Sequence, residues 1–424
     1  MNRGQRRTMP SFCGTLSLAC LAFATFARAQ VLTAAQLSAV KSNLMQGAKQ
    51  SWELGTETEA LTEFDSPHYS VVKGAVPPPP GPGPASLDEV FAIAKNIVSN
   101  LTISPSDPNA PQPLDLPPGM AAGDSASLGF AVLLADWTGR GKVDGLDYGA
   151  AATAQVDWTL TDVPRTPDGA ISHRIEQVQL WADSVYMVPP TLAYYGAMNN
   201  NRSLLEEAHN QIRLYRQYLR DPSAGGLWKH ILLGEASQDD EGHWSTGNAW
   251  AAAGMIRVMA TIQHSKFSRE MTSEVQDLIS WVSEIHDGVY PHLNSDGLFN
   301  NYADNSSTFH DAAGTAMLAS TVYRLSLLAG VHTHIPLAEF SRKSISAPLN
   351  SAVSSHASPT STGAAAPVQS LLHFDNEMWL TPVPNPDNWS VLGEHSPESQ
   401  AFVIEMYAAW RDWVAAGSPG AHGI

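Results

Sequence analysis

Apolar residues recur every three or four positions along most of this chain, and that helical period far outweighs the alternation expected of strands. Residues 34–64 carry it through Leu37, Val40, Leu44, Trp52, Leu54 and Leu61, and a second helix is predicted over 86–100. The run Ser125–Ala135 is apolar and ends at Asp136-Trp137-Thr138-Gly139; residues 142–152 again look helical. The segment 174–198 is long and apolar, with a break expected at Pro189-Pro190, since proline lacks the amide a helix interior needs. An amphipathic helix follows at 203–220, and others are predicted at 246–264, 271–286, 310–330 and 397–416. Alternation is confined to short pieces such as Ala154–Leu160, read as a small hairpin.

Between these elements lie strong breakers. Pro77–Pro84 is almost entirely proline and glycine, and 104–119 is a second Pro-rich loop. Residues 341–370 are rich in Ser, Ala, Thr and Pro and are expected to form a low-complexity insertion rather than a domain boundary, because the helical pattern resumes afterwards. Ten to twelve helices with Gly/Pro connectors predict an all-α fold of consecutive helical hairpins closing into one toroid.

The ends change the picture. Arg3, Arg6 and Arg7 precede an apolar run, Thr15–Phe26, and then Ala27-Arg28-Ala29, the pattern of a signal peptide cleaved after Ala29. Residues 30–424 would then be one secreted, extracellular domain. The apolar run is too short for a bilayer span, so no membrane association is expected after cleavage. Both cysteines, Cys13 and Cys20, fall in the leader, which leaves a mature chain without disulfides or thiolate metal sites. Losing four arginines would take the net charge from −17 to −21. Nucleic acid and anionic membranes are thereby excluded as partners, and an acidic sugar would need local bonds to be held. Sequons at Asn100, Asn201, Asn305 and Asn388 fit a glycosylated secreted protein.

Candidate chemistry lies where polar groups interrupt aromatic stretches. In Gln179–Pro190, Asp183 sits among Trp181, Tyr186 and Met187. Desolvation in such a pocket raises a carboxyl pKa, as a general acid requires, although a helix-capping role is open to the same residue. Asp124, ahead of an apolar run, reads either as an N-cap or as a second carboxylate facing the first, the usual equipment for breaking a glycosidic bond. The segments Gly225–His230 and Gly242–Trp250 carry Trp228, His230, Trp244, Asn248 and Trp250. Indole faces stack on sugar C–H faces while Asn and His bond hydroxyls; core packing of the tryptophans is the alternative. No zinc-type His/Glu spacing, G-x-S-x-G elbow or phosphate-binding loop is present.

These motifs resemble glycoside hydrolase family 105, the unsaturated rhamnogalacturonyl hydrolases, and more distantly the unsaturated glucuronyl hydrolases of family 88. The resemblance runs from Trp52-Glu-Leu-Gly55 through Asp124-x-x-x-x-Gly129, Trp181-Ala-Asp183-x-x-Tyr-Met187-x-x-Pro190, Gly226-Leu-x-x-His230 and Trp244-x-x-Gly247-Asn248-x-Trp250 to Ser396–Phe402. It implies an (α/α)6 barrel acting on oligosaccharides that end in a 4,5-unsaturated uronic acid, with Asp183 and Asp124 catalytic. It also implies that Trp52, His173, Trp181, Met187, His230, Trp244, Asn248 and Trp250 bind substrate. No metal or organic cofactor is implied, and a monomer is the expected state. In the implied mechanism Asp183 protonates C4 of the vinyl ether and then activates a water that adds at C5; the resulting hemiketal collapses. One departure stands out: bacterial members carry Arg where this chain has Thr246. Two rival readings share these residues: an inverting glycosidase for a saturated sugar, and a secreted glycan-binding protein without catalysis.

Overall fold

The computed structural model describes residues 1, 31–102, 110–115, 121–349 and 370–421. The expected leader with Cys13 and Cys20, most of loop 104–119, and residues 350–369 of the expected insertion lie outside the described residues. Fourteen α-helices are present among the described residues: α1 (Ala34–Gly47), α2 (Ser51–Asp65), α3 (Asp88–Asn100), α4 (Ala122–Ser127), α5 (Gly129–Trp137), α6 (Gly141–Asp144), α7 (Tyr148–Thr161), α8 (Ser184–Met198), α9 (Arg202–Leu219), α10 (Ser245–His264), α11 (Thr272–Val289), α12 (Ala312–Ala329), α13 (Ile335–Ile345) and α14 (Pro397–Ala415).

Apart from the single-turn α6, they alternate between two concentric layers. Helices α2, α4–α5, α8, α10, α12 and α14 pack each on the next, and α14 packs back on α2 to close the ring. Outside it, α1 lies on α14, α3 on α5, α7 on α5, α9 on α8, α11 on α10 and α13 on α12. Sequence explains the division. Outer helix α9 buries one stripe, Leu205, Ala208, Ile212, Tyr215 and Leu219, at spacings of three and four. Inner helices are buried all round: every residue of α10 from Ser245 to Ile262 and of α12 from Ala312 to Ser326 is buried. The architecture is the (α/α)6 toroid that the helical periodicity and the family resemblance implied.

Several local expectations are corrected. The 34–64 pattern is two helices, because Glu53 accepts the amides of Lys49 (2.7 Å) and Gln50 (2.9 Å) and so starts α2 afresh. Ala154–Leu160 is helix α7, not a hairpin: Ala151, Ala154 and Trp158, spaced by three and four, bury one helical face. Pro189 and Pro190 lie inside α8 rather than breaking it. Pro189 cannot bond the Val185 carbonyl four residues back, and that carbonyl faces α10 at Gly254, where any Cβ would collide with it. Residues 341–345, read as insertion, belong to α13.

Helices α1 and α14 join the two ends of the chain, with Leu32 N–H donating to the Tyr407 hydroxyl at 2.8 Å. Inside the ring lies a buried ion network: Arg257 meets Glu59, Glu63 and Glu405 at 2.8–3.2 Å, and Arg324 meets Glu63 and Asp412 at 2.8 Å. Among the described residues, six short strands pair as β1 (Leu180–Trp181) with β2 (Ile231–Leu232), β3 (Phe299–Asn300) with β4 (His310–Asp311), and β5 (Val383–Asn385) with β6 (Asn388–Gly393). No helix among the described residues is long and apolar enough to cross a membrane.

Candidate active site

The N-terminal ends of the inner helices converge on one cavity of about 190 Å³. Trp52 comes from the first turn of α2, Asp124 from α4, Asp183 and Met187 from the start of α8, Trp244 and Trp250 from α10, and Glu398 from α14. Asp311 caps α12 through the Gly314 amide (2.9 Å) beside this ring. Five of the six inner helices therefore start with a carboxyl group: Glu53, Asp124, Asp183, Asp311 and Glu398. A helix N-terminus favours negative charge, but desolvation wins at four of them, Glu53, Asp124, Asp311 and Glu398. Burial pushes Asp124 up to about 7, aided by the neighbouring Asp183 charge and opposed by the Ala121 amide. Asp311 is pushed up to about 6 by burial. Burial, with Asp183, Glu53 and Asp311 nearby, raises Glu398 far above the usual carboxyl range.

Asp183 is placed by strand pairing. Trp181 faces Ile231 across β1–β2, and the Ala182 amide bonds the His230 carbonyl at 2.9 Å. Ile231 in turn exchanges both backbone hydrogen bonds with Asp240. Three loops thus meet, and their side chains form a chain of charges. Asp183 Oδ2 lies 3.3 Å from His230 Nε2 as an ion pair without aligned hydrogen-bond geometry, and His230 Nδ1 is 3.0 Å from Asp240 Oδ2. Asp240 also accepts from the Tyr302 hydroxyl (2.8 Å), Trp389 Nε1 (2.7 Å) and the Gly242 amide (3.0 Å). Burial disfavours charge on His230, but Asp183 and Asp240 outweigh it and its pKa is raised. Burial likewise acts against charge on Asp240, and its donors, His230 foremost, more than offset it, so Asp240 lies below its ordinary value. The two carboxylates therefore favour charge on the buried imidazole directly behind Asp183.

Of the residues singled out from sequence, Trp52, Asp124, His173, Trp181, Asp183, Met187, Trp244 and Trp250 line the cavity. His173 stacks on Trp181, centroids 4.8 Å apart, and burial lowers its pKa to about 3, so its ring is neutral. His230 and Asn248 do not line the cavity. His230 is completely buried, with Nδ1 bonded to Asp240 and Nε2 facing Asp183. Asn248 spends its amide on the Trp228 amide, the Trp228 carbonyl and the Trp244 carbonyl, at 2.9 Å each. Both support the wall rather than meet a ligand. Thr246 is also buried, donating to Asp311 at 2.7 Å. The four sequon asparagines, Asn100, Asn201, Asn305 and Asn388, are all exposed.

Sequence reading missed Arg174, Asp240, Pro386, Asp387, Trp389 and the site position of Glu398. Glu398 had a signal, an acidic residue in the first turn of an apolar helix after Ser396-Pro397. Trp389 had none. It arrives on the β5–β6 hairpin, whose tip, Pro386-Asp387, forms one wall of the cavity, and its ring lies 4.6 Å from His230 and 5.3 Å from Trp181. Among the described residues, no group of three or more His, Cys, Asp or Glu side chains could hold a metal ion.

A cavity walled by indoles and floored with carboxyl groups is suited to a sugar, and comparison with known proteins agrees. Residues 131–358, just over half of the chain, match Glycosyl Hydrolase Family 88. Among solved structures, the chain is similar to a possible member of the GH105 family from Klebsiella pneumoniae, at TM-score 0.65 and 14% identity over 90% of this chain and 94% of that one. It is also similar to a family 105 glycoside hydrolase from C. acetobutylicum (TM-score 0.61, 11% identity, 89% and 99% covered) and to a family 88 glycosyl hydrolase from Bacteroides vulgatus (TM-score 0.61, 12% identity, 90% and 100% covered). No curated protein matches the chain. At these identities the structures speak for the fold, an (α/α)6 toroid; the family match adds the lineage, and the chain belongs to Glycosyl Hydrolase Family 88, as a glycoside hydrolase of the six-hairpin type.

Proposed function

We propose that the protein removes a 4,5-unsaturated uronic acid from the non-reducing end of oligosaccharides made by a polysaccharide lyase, with rhamnogalacturonan fragments as the substrate type. The observation that carries this reading is Asp183, nine-tenths buried in an indole-walled cavity, with His230 at 3.3 Å behind it and Asp124 on a neighbouring inner helix. Asp183 delivers a proton to C4 of the enol ether, and positive charge develops at C5 and the ring oxygen. The resulting carboxylate takes a proton from water as the water oxygen bonds to C5, which restores the acid. The hemiketal so formed opens, and the glycosidic oxygen leaves as the hydroxyl of the released sugar. Asp124, protonated at mildly acidic pH, donates a hydrogen bond to the sugar rather than repelling it.

Export completes the proposal: cleavage after Ala29 would send the enzyme to where lyase products accumulate, and the four exposed sequon asparagines are compatible with glycosylation on the way. The test follows the double bond. Incubation with lyase-treated rhamnogalacturonan is expected to remove its ultraviolet absorbance, and Asp183→Asn is expected to abolish that loss while the melting temperature holds. Release of reducing sugar from a saturated oligosaccharide, with no change in absorbance of any unsaturated one, would overturn the proposal.

A further inference from the structure

The cavity is rich in carboxyl groups and poor in cations. Asp124, Asp183, Asp387 and Glu398 all line it, and among its lining residues only Arg174 carries a permanent positive charge. His173, beside it in sequence, is neutral, and Thr246 at the start of α10 is sealed against Asp311. Arg174 comes from the loop ahead of β1, outside every motif that drew attention to the site. Its guanidinium is half committed. Nε and Nη2 hold Glu176 Oε1 at 2.9 and 2.5 Å, while Nη1 makes no hydrogen bond to any described residue. The Nη1–Nη2 end is thus open to a carboxylate, in the paired geometry that suits guanidinium and that lysine cannot reproduce.

The surroundings set a second condition. Arg174 is flanked by Glu176, half exposed, and the hairpin tip opposite presents the exposed Asp387. No further cation stands at the cavity, and the whole chain carries −17. A ligand with one negative charge finds one partner; a second charge on the adjoining sugar would find no second permanent cation among the lining residues.

Resting on the hydrolase reading above, we propose that Arg174 is the anion-recognition residue of the cavity, gripping the carboxylate of the chain-end uronate, and that the sugar attached to that uronate must be uncharged.

The experiment compares three unsaturated disaccharides: a uronate on a neutral deoxyhexose, the methyl ester of the same compound, and a uronate on a second uronate. The wild type should prefer the free acid over the ester in kcat/KM by about 10- to 100-fold, the value of one charge-assisted bidentate contact. Arg174→Gln should collapse that ratio towards one, chiefly through KM, and Arg174→Lys should restore only part of it. The doubly charged disaccharide should be at least about tenfold poorer than the singly charged one. An unchanged acid-to-ester ratio in Arg174→Gln, or equal use of singly and doubly charged substrates by the wild type, overturns the proposal. Should the wild type turn over none of the three, the hydrolase reading fails, and Arg174 is still tested by calorimetry. The saturated free-acid disaccharide should then bind the wild type at least about tenfold more tightly than Arg174→Gln, and equal affinities would dismiss Arg174.

Discussion

Asp240 touches no ligand, yet its replacement by asparagine should disable the site. Its two oxygens accept from four donors: His230, Tyr302, Trp389 and the Gly242 amide. Asparagine offers one acceptor oxygen and an NH2 group. In either orientation that NH2 is turned towards groups that are themselves donors. The change also removes one of the two carboxylates that keep His230 charged against its burial. With only Asp183 left, desolvation drives the imidazole towards neutrality and weakens the charge behind Asp183. A charge-assisted hydrogen bond is worth about 1.5–3 kcal/mol. If the upper part of that range is felt in the transition state, kcat falls roughly 30- to 150-fold. The assay is the initial rate of ultraviolet absorbance loss across a pH series, with melting temperature as a control for folding. Tyr302→Phe, which removes one donor and keeps the charge, should cost less than about tenfold by the same reasoning. A kcat for Asp240→Asn within about threefold of wild type, with the fold intact, would refute the role given to the His230–Asp240 pair.

Stability should peak at mildly acidic pH. Burial raises Asp311 to about 6, Glu59 and Asp124 to about 7, and Glu57 and Glu405 to about 8. In each case the folded form holds a proton that the unfolded chain releases near pH 4, so the stabilisation is complete below that value and disappears as pH rises through 6–8. The opposite sign applies to Asp240 and Asp412, whose folded values are depressed and whose contribution is lost only as pH falls below the ordinary carboxyl range. Melting temperature should therefore fall between pH 5 and pH 8, and a flat profile would contradict the burial argument. At the α8–α10 contact, Gly254→Val places a side chain against the Val185 carbonyl and should cost about 3 kcal/mol or more in chemical denaturation; a loss below about 1 kcal/mol would show that the helices can part.

Periodicity was enough to predict the toroid, because the outer helices must alternate polar and apolar faces and the inner ones need not. Asp183 was also legible, since a carboxylate among Trp181, Tyr186 and Met187 is unusual in any setting. Pro189 and Pro190 misled because the carbonyl they release lies against a bare glycine from another helix. The same long-range logic hid Asp240 and Trp389, which lie 149 residues apart and acquire meaning only when the β5–β6 hairpin folds over the loop after β2. His230 was marked for the right neighbourhood. Its motif places a histidine near the site, but only the three-loop junction shows that it is buried with a carboxylate facing each nitrogen.

Closure of the ring by α14 on α2, with α1 laid over the joint, bears on how the chain comes into being. On the ribosome, α1 and α2 are made first, and their principal partner is made last. Val40 and Leu44 of α1 wait through some 350 residues of synthesis before α14 covers them. The contact from Leu32 to Tyr407 spans 375 positions. Non-local pairing of this kind slows folding and leaves apolar surface open in the interval. The first hairpin thus depends on the last helix, and a ribosome that stops short of Pro397 leaves a ring with a gap where its beginning should meet its end.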